Sequence, residues 1–164
     1  MEFKVRKIAA TDIADYRSAL DSVVREKKFL LTVQTPTLED TDRFIRHNIK
    51  NNYAQYVALV EDKIVGWADI IPHEKELMKH VGLLGIGVVS EYRGKGIGKE
   101  LLIRTINHAR ETGLQRLELE VFANNVAAIE LYKQLGFEQE GIKRNARYIN
   151  DRYEDVCIMS ICYV

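Results

Sequence analysis

Residues 85–98 read Gly-Ile-Gly-Val-Val-Ser-Glu-Tyr-Arg-Gly-Lys-Gly-Ile-Gly, and they carry the strongest signal for the fold. The stretch continues a β-prone run that begins near Val81, and its last glycine opens a run of apolar residues at helical spacing. The glycines at 94, 96 and 98 therefore lie in a turn between a predicted strand and a predicted helix. Free N–H groups and the positive dipole end at a helix start favour a bound phosphate.

Glycine at every second position of this turn would let phosphate oxygens reach the backbone amides, and it would permit positive φ. Arg93, Lys95 and Lys99 could add positive charge. The Walker loop does not fit, because Arg93 stands where that pattern needs its first glycine. The dinucleotide fingerprint fails too, because its glycines are spaced differently. Spacing alone leaves a purely structural turn as an equally good interpretation.

The strand before the turn, predicted near residues 81–89, contains Gly82, Gly85 and Gly87. Glycine weakens an ordinary strand because it contributes no side chain to the packing. We therefore expect either that another group approaches this backbone closely or that the strand is bulged.

Upstream of the turn, a short strand over residues 3–8 precedes a helix capped at Thr11 and Asp12. A second helix follows Pro36, with Thr37 and Asp40 arranged as in a capping box. Its predicted buried stripe consists of Phe44, Ile45 and Ile49. Residues 56–60 and 64–71 flank a short polar turn and predict a hairpin.

Downstream, the helix that opens at Gly98 ends near Gly113, and a strand follows with apolar residues at 117, 119 and 121. Asn124 and Asn125 predict a cap for another helix, and two β segments near 137–144 and 153–163 complete the chain. The pattern predicts one α/β (α+β) domain over residues 1–164, with a mixed sheet and helices on its faces.

The turn resembles the acetyl-CoA motif of the GCN5-related N-acetyltransferase (GNAT) family, Arg/Gln-x-x-Gly-x-Gly/Ala. Arg93, Gly96 and Gly98 match its fixed positions. A second segment of the family is similar to residues 119–137, in the right order and at the right distance. Its matching residues are Leu119-Glu120-Val121, Asn124-Asn125, Ala128, Leu131-Tyr132 and Gly136-Phe137. The resemblance extends from about Tyr56 onward, and the first fifty residues match only loosely.

This resemblance implies a splayed sheet of about six to seven strands and about four helices, in which two central parallel strands part to admit the pantetheine arm of acetyl-CoA. It implies transfer of an acetyl group to a primary amine, with acetyl-CoA as co-substrate. The end of the chain resembles the branch that acetylates amino acids, polyamines or ribosomal-protein termini. A non-catalytic acyl-CoA-binding module, acting as a sensor or scaffold, is the alternative.

The family match also implies roles for individual residues. Tyr132 would donate a proton to the coenzyme thiolate, and Glu120, twelve residues earlier, would act as the base, with Glu118 as its local rival. A base or a water relay is needed because amines of the lysine kind have a pKa of about 10.4 and α-amines one of about 8. The amide of Val88 would stabilise the oxyanion. The cofactor-binding residues would be Ile86, Val88, Arg93, Gly94, Lys95, Gly96, Ile97, Gly98, Lys99, Asn125, Ala128 and Tyr132.

A role as a helix cap explains Asn125 equally well. A solvent-facing or ion-paired position explains Glu120 equally well. The acceptor itself cannot be named from the sequence. Asp69, His73, Glu74 and His80 are candidates for its side of the site, but their spacing does not separate them from ordinary surface residues.

The composition narrows the class of protein. Apolar residues make up 46% of the chain, and 24 basic residues balance 24 acidic ones, so no global positive field favours nucleic acid or anionic membranes as partners. No metal-ligand pattern, targeting segment or spanning helix is evident, and we expect a cytoplasmic protein without a metal. Cys157 and Cys162 should point to opposite faces of one strand and not pair. A homodimer remains open by analogy with the family.

Overall fold

The computed structural model describes residues 1–164 and contains seven strands and four α-helices. In chain order these are β1 (Lys4–Lys7), α1 (Ile13–Arg25), α2 (Leu38–Lys50), β2 (Ala54–Val60), β3 (Lys63–Pro72), β4 (Val81–Val88), α3 (Ile97–Glu111), β5 (Arg116–Phe122), α4 (Val126–Gln134), β6 (Glu138–Ile149) and β7 (Arg152–Cys162). The expected fold is confirmed in the number of its strands and helices.

All seven strands form one sheet in the order β1-β2-β3-β4-β5-β7-β6. The pair β4–β5 is parallel, and every other neighbouring pair is antiparallel. The parallel pair holds together for only three residue pairs, beginning at Val81 and Arg116 and ending at Leu83 and Glu118. Beyond that point β4 and β5 separate, so the sheet is both mixed and splayed, as expected.

The helices cover both faces of the sheet because each one carries an apolar stripe. Residues of α3 and α4, among them Leu102 and Ile129, share a core with β5 and β7 on one face. Residues of α1, among them Tyr16 and Val23, pack with Trp67 of β3 on the opposite face. One face of the sheet therefore carries α3 and α4, and the other carries α1. The gap between β4 and β5 connects the two faces.

Helix α2 begins as predicted but buries a different stripe. The Thr37 hydroxyl accepts a hydrogen bond from the Asp40 amide at 3.1 Å. Ile45 is fully buried, whereas Phe44 and Ile49 are 38% and 43% exposed, so two of the three predicted core positions are wrong. The reason is that α2 is an outer helix that packs on α1, and most of its surface faces solvent.

Helix α1 is not capped by the side chains that the sequence suggested. The Asp12 carboxylate accepts a hydrogen bond from the Ala9 amide at 2.8 Å and pairs with Arg6 at 2.6 Å. It thereby joins the turn before α1 to strand β1. Arg6 and the Ala9 amide hold the pKa of Asp12 below its usual range.

The glycines of β4 are explained mainly by protein packing. Strand β4 pairs with β3 without a register shift, so the bulge that the sequence allowed is absent. A β-carbon on Gly87 would lie 2.2 Å from the Trp67 ring, and one on Gly82 would lie 2.5 Å from Ile70. The predicted close approach is therefore present, and at both positions side chains of β3 make it.

Cys157 is buried, Cys162 is exposed, and both are free thiols, as predicted. None of the helices combines the length and the apolar character required to cross a membrane.

Candidate active site

A cleft of about 640 Å³ occupies the gap between β4 and β5. Because the Val89 amide donates to the Val65 carbonyl of β3, the alternation of an antiparallel strand turns the amides of Ile86 and Val88 toward the gap. These two amides face the side on which β4 has lost its parallel neighbour. They are consequently available to hydrogen-bond an extended ligand lying along β4.

The cleft passes from one face of the sheet to the other. Its lining includes Ala128 and Leu131 from α4, on the face that carries α3. It also includes Val23 and Phe29, which belong to the face that carries α1. A ligand could therefore enter from the α3–α4 face while a second molecule approaches it from the α1 face.

The turn from Gly94 to Gly98 presents a row of backbone donors. Six successive N–H groups, from Gly94 to Lys99, donate to no protein atom. Gly94 and Gly96 have φ of 70° and 83°, and a β-carbon at either position would meet nothing within 4 Å. Free amides, open space above them and the start of a 15-residue helix together fit a diphosphate.

The charged side chains of the turn are less available than the sequence suggested. Arg93 forms a bidentate ion pair with Glu26 at 2.5 and 2.7 Å, and its Nε donates to the Val88 carbonyl at 2.7 Å. Lys95 donates to the carbonyl of Glu91. Only Lys99 lines the cleft without an ion pair or a side-chain hydrogen bond. Of the three expected sources of positive charge, only Lys99 is therefore unpaired in the cleft, and Arg93 fixes the end of β4.

Two predicted cofactor residues do not line the cleft. Lys95 points to solvent, and the side chain of Ile97 is buried in the core beneath the turn. Only the backbone amides of these residues belong to the row of donors. The cleft is lined by the other predicted residues, which are Ile86, Val88, Arg93, Gly94, Gly96, Gly98, Lys99, Glu120, Asn125, Ala128 and Tyr132.

Tyr132 lies in the last turn of α4. Its ring packs against Phe137, with 5.9 Å between the ring centroids, and its hydroxyl makes no hydrogen bond to the protein. Burial raises the pKa of Tyr132 to about 12. The phenol is therefore protonated at neutral pH and has a proton to donate.

Glu120 is exposed and lines the cleft on the α1 side of the sheet. It forms an ion pair with Lys143 of β6. Its rival Glu118 is half-buried and pairs with Arg116 at 3.0 Å, and it does not line the cleft. Of the two glutamates, only Glu120 is in a position to meet a ligand there.

Asn125 caps α4, because its Oδ1 accepts a hydrogen bond from the Ala128 amide at 3.3 Å. Its Nδ2 makes no hydrogen bond to the protein, so the same side chain can still donate to a ligand in the cleft. Capping and ligand binding are therefore compatible at this residue.

The sequence interpretation missed the segment that follows α1, residues 26–31. Phe29, Leu30 and Leu31 line the cleft. The guanidinium of Arg93 lies 4.5 Å from the centre of the Phe29 ring, and Arg147 donates to the carbonyls of Lys27 and Lys28. The only sequence feature that could have indicated the role of this segment was its apolar run between two predicted helices.

A model of the acetyltransferase (GNAT) family matches residues 20–137. A protein of Bacillus subtilis (strain 168), provisionally described as a ribosomal protein bS18-alanine N-acetyltransferase, is 32% identical over 119 residues, covering 72% of this chain and 75% of that protein. The L-amino acid N-acetyltransferase AaaT of Escherichia coli (strain K12) is 27% identical over 154 residues, covering 93% of this chain and 95% of its own.

The fold also matches that of a GNAT superfamily phosphinothricin acetyltransferase from Sinorhizobium meliloti, solved in complex with AcCoA. The TM-score is 0.91 at 22% identity, over 99% of this chain and 89% of the other. This likeness concerns the fold, while the family match covers well over half of the sequence. The chain therefore belongs to the GNAT family of acetyltransferases and is an acyltransferase.

Proposed function

We propose that this chain transfers the acetyl group of acetyl-CoA directly to a primary amine of a small molecule or of a peptide or protein terminus. The observation that carries the proposal is the row of six unpaired amides from Gly94 to Lys99 at the mouth of a cleft between two parted strands. Relatives that act on an alanine terminus and on L-amino acids support an amine acceptor.

In this proposal the amides of the glycine turn and Lys99 hold the pyrophosphate of the coenzyme. The amides of Ile86 and Val88 and the carboxamide of Asn125 hold the pantetheine arm. Ala128 leaves room for that arm because its side chain is a single methyl group. Acetyl-CoA supplies an acetyl group activated as a thioester, and the remaining chemistry falls to the side chains and the backbone around it.

The acceptor amine must lose a proton before it can react, and Glu120 is the proposed base. The amine nitrogen then bonds to the acetyl carbon while the Val88 amide stabilises the charge on the carbonyl oxygen. As the carbon–sulfur bond breaks, Tyr132 gives its proton to the sulfur. The second proton lost by the nitrogen restores Tyr132 through solvent, so that protons and electron pairs balance.

Tyr132 suits this role because burial keeps the phenol protonated at neutral pH, so a proton is at hand when the thiolate forms beside it. The Glu120 carboxylate also forms an ion pair with Lys143 of β6. An incoming ammonium group would compete with Lys143 for the same carboxylate.

A release assay for free coenzyme A tests the proposal. The purified protein is mixed with acetyl-CoA and a panel of primary amines, and thiol formation is followed with and without each amine. We expect thiol release that depends on an amine and is lost in Gly96→Asp. A protein that binds acetyl-CoA but releases no thiol with any amine would instead be the non-catalytic acyl-CoA-binding module.

A further inference from the structure

Asp69 of β3 is a half-buried carboxylate with no partner in the protein. Its oxygens make no hydrogen bond and no ion pair, in contrast to Glu26, Glu118 and Glu120, which are all paired with basic residues. A carboxylate withdrawn from water without a partner is costly to the fold. Such a group calls for an explanation that packing does not give.

The strand register places Asp69 next to the part of β4 that lines the cleft. Asp69 pairs with Gln55 of β2 on one side and with Gly85 of β4 on the other. The last β4–β5 pair joins Leu83 to Glu118, and continuing this parallel register by two residues brings Gly85 level with Glu120. Asp69, Gly85 and Glu120 therefore point to the same face of the sheet, the one that carries α1.

Gly85 leaves an open position between these two carboxylates. A β-carbon built on Gly85 would lie 3.3 Å from Oδ1 of Asp69, and its three nearest neighbours would all be atoms of the Asp69 carboxylate group. A ligand atom in that space would touch the Asp69 carboxylate directly. Both Gly85 and Glu120 line the cleft, so the position is reached from it.

The surroundings of Asp69 contain no cation. Tyr16 of α1 and Gln55 of β2 are its polar neighbours, and Trp67 lies two residues before it on the same face of β3. Burial raises the pKa of the Asp69 carboxyl to about 7, and no neighbouring charge opposes this effect. A positively charged ligand group would therefore supply the partner that the fold does not.

We infer, building on the proposed function, that the ammonium group of the acceptor binds over Gly85 between Asp69 and Glu120, and that the acceptor carries no carboxylate next to its amine. Apart from Glu120, the charged side chains that line the cleft are Arg93, which is paired with Glu26, and Lys99, which the proposed function assigns to the pyrophosphate. Neither is then free to receive an acceptor carboxylate. The amine of a peptide terminus or of an alkylamine fits this site, and a free amino acid does not.

Steady-state kinetics on four acceptors test this inference: alanine, alaninamide, a short peptide beginning with alanine, and 1,4-diaminobutane. Asp69→Asn should raise KM for the best acceptor about tenfold or more, because a charged hydrogen bond is lost. Its Kd for acetyl-CoA should stay unchanged. Asp42→Asn on the exposed face of α2 is the matched control and should alter neither quantity.

Alanine and alaninamide form a matched pair that differs only in the carboxylate. The parent should favour alaninamide over alanine, and Asp69→Asn should narrow that preference, because a repelling charge has been removed. Comparing the two enzymes on both substrates cancels the difference in amine pKa between the substrates.

The outcomes separate this inference from the proposed function. No turnover of any amine by the parent would overturn the proposed function, and this inference with it. Turnover by the parent with a KM that Asp69→Asn leaves unchanged, or with free alanine as the best acceptor, would overturn the inference alone.

Discussion

At the scale of single residues, Asp69 links stability to the proposed acceptor site. The carboxyl has a pKa of about 7 in the folded protein and of about 3.9 in an unfolded chain. The folded state thus holds this proton more tightly, so ionisation of Asp69 disfavours folding increasingly as the pH rises from about 4 to 7. Above that range the cost is fully present.

Asp69→Asn should therefore stabilise the folded protein at pH 8, because the amide has no charge to bury. We expect its Tm to exceed that of the parent by about 3 °C or more at pH 8, with a smaller difference at pH 5.5. Thermal denaturation followed by circular dichroism at both pH values, with Asp42→Asn as the control, gives the comparison. A lower Tm for Asp69→Asn at pH 8 would mean that Asp69 supports the fold.

Tyr132→Phe removes one hydroxyl that makes no hydrogen bond to the protein. The packing against Phe137 should survive, so Tm and the Kd for acetyl-CoA should barely change. The turnover number should fall about 10²-fold or more, the usual contribution of a positioned acid. Tyr163→Phe, at the far end of the sheet, is the matched control. Equal rates in Tyr132→Phe and the parent would exclude Tyr132 as the acid.

Some residue assignments could be read from the sequence and others could not. The positive φ of the turn glycines could be predicted because conformational freedom is a local property of glycine. Gly94 and Gly96 do have positive φ. The ion-pair partner of Arg93 could not be predicted from the sequence, because Glu26 lies 67 residues away in the chain. The reason for Gly87 was equally hidden, since it depends on the ring of Trp67 across the β3–β4 pair.

At the scale of elements, the segment 26–31 is held by two arginines from distant parts of the chain. Arg93 forms an ion pair with Glu26, the first residue of the segment, and its guanidinium stacks on the Phe29 ring. Arg147 packs on Phe122, pairs with Glu154 and binds the segment's carbonyls from the other side. The segment forms one wall of the cleft, so its order and the shape of the cleft depend on these contacts.

Glu26→Gln should loosen this segment by removing the charge that Arg93 holds. The pair is partly exposed, so we expect a loss of about 1 kcal/mol in local stability and roughly fivefold faster amide hydrogen exchange in residues 26–31. Mass spectrometry of exchanged peptides measures this effect. Glu39→Gln, in an exposed pair with Arg43 on α2, should leave exchange unchanged. Unchanged exchange in Glu26→Gln would show that the ion pair between Arg93 and Glu26 does not hold the segment.

The elements themselves could be predicted where their pattern was local. The hairpin of β2 and β3, the cap of α2 and the start of α3 agree with the sequence within two residues. The buried stripe of α2 could not be predicted, because an outer helix buries only the few positions that touch α1. Strand β7 also agrees within two residues, whereas β6 was predicted to end near residue 144 and extends to Ile149, because exposed residues of the hairpin pair through the backbone.

At the scale of the whole molecule, a sheet that parts in its middle brings two surfaces together. The glycine turn and α4 lie on one face, and Glu120, Asp69 and the segment 26–31 lie on the other. Because the gap runs through the sheet, a coenzyme held from one face can offer its reactive end to an acceptor on the other. The sequence indicated this arrangement only through the family resemblance, since separation of strands is a tertiary property.

The central claim, that the glycine turn holds the pyrophosphate of acetyl-CoA, is tested most directly by calorimetric titration of three proteins. These are the parent, Gly96→Asp and Gly113→Asp, and the last is a matched control because Gly113 also has positive φ and open space but lies at the other end of α3. We predict micromolar binding to the parent and to Gly113→Asp, and none to folded Gly96→Asp. Equal binding by all three, or no binding by the folded parent, would contradict the account.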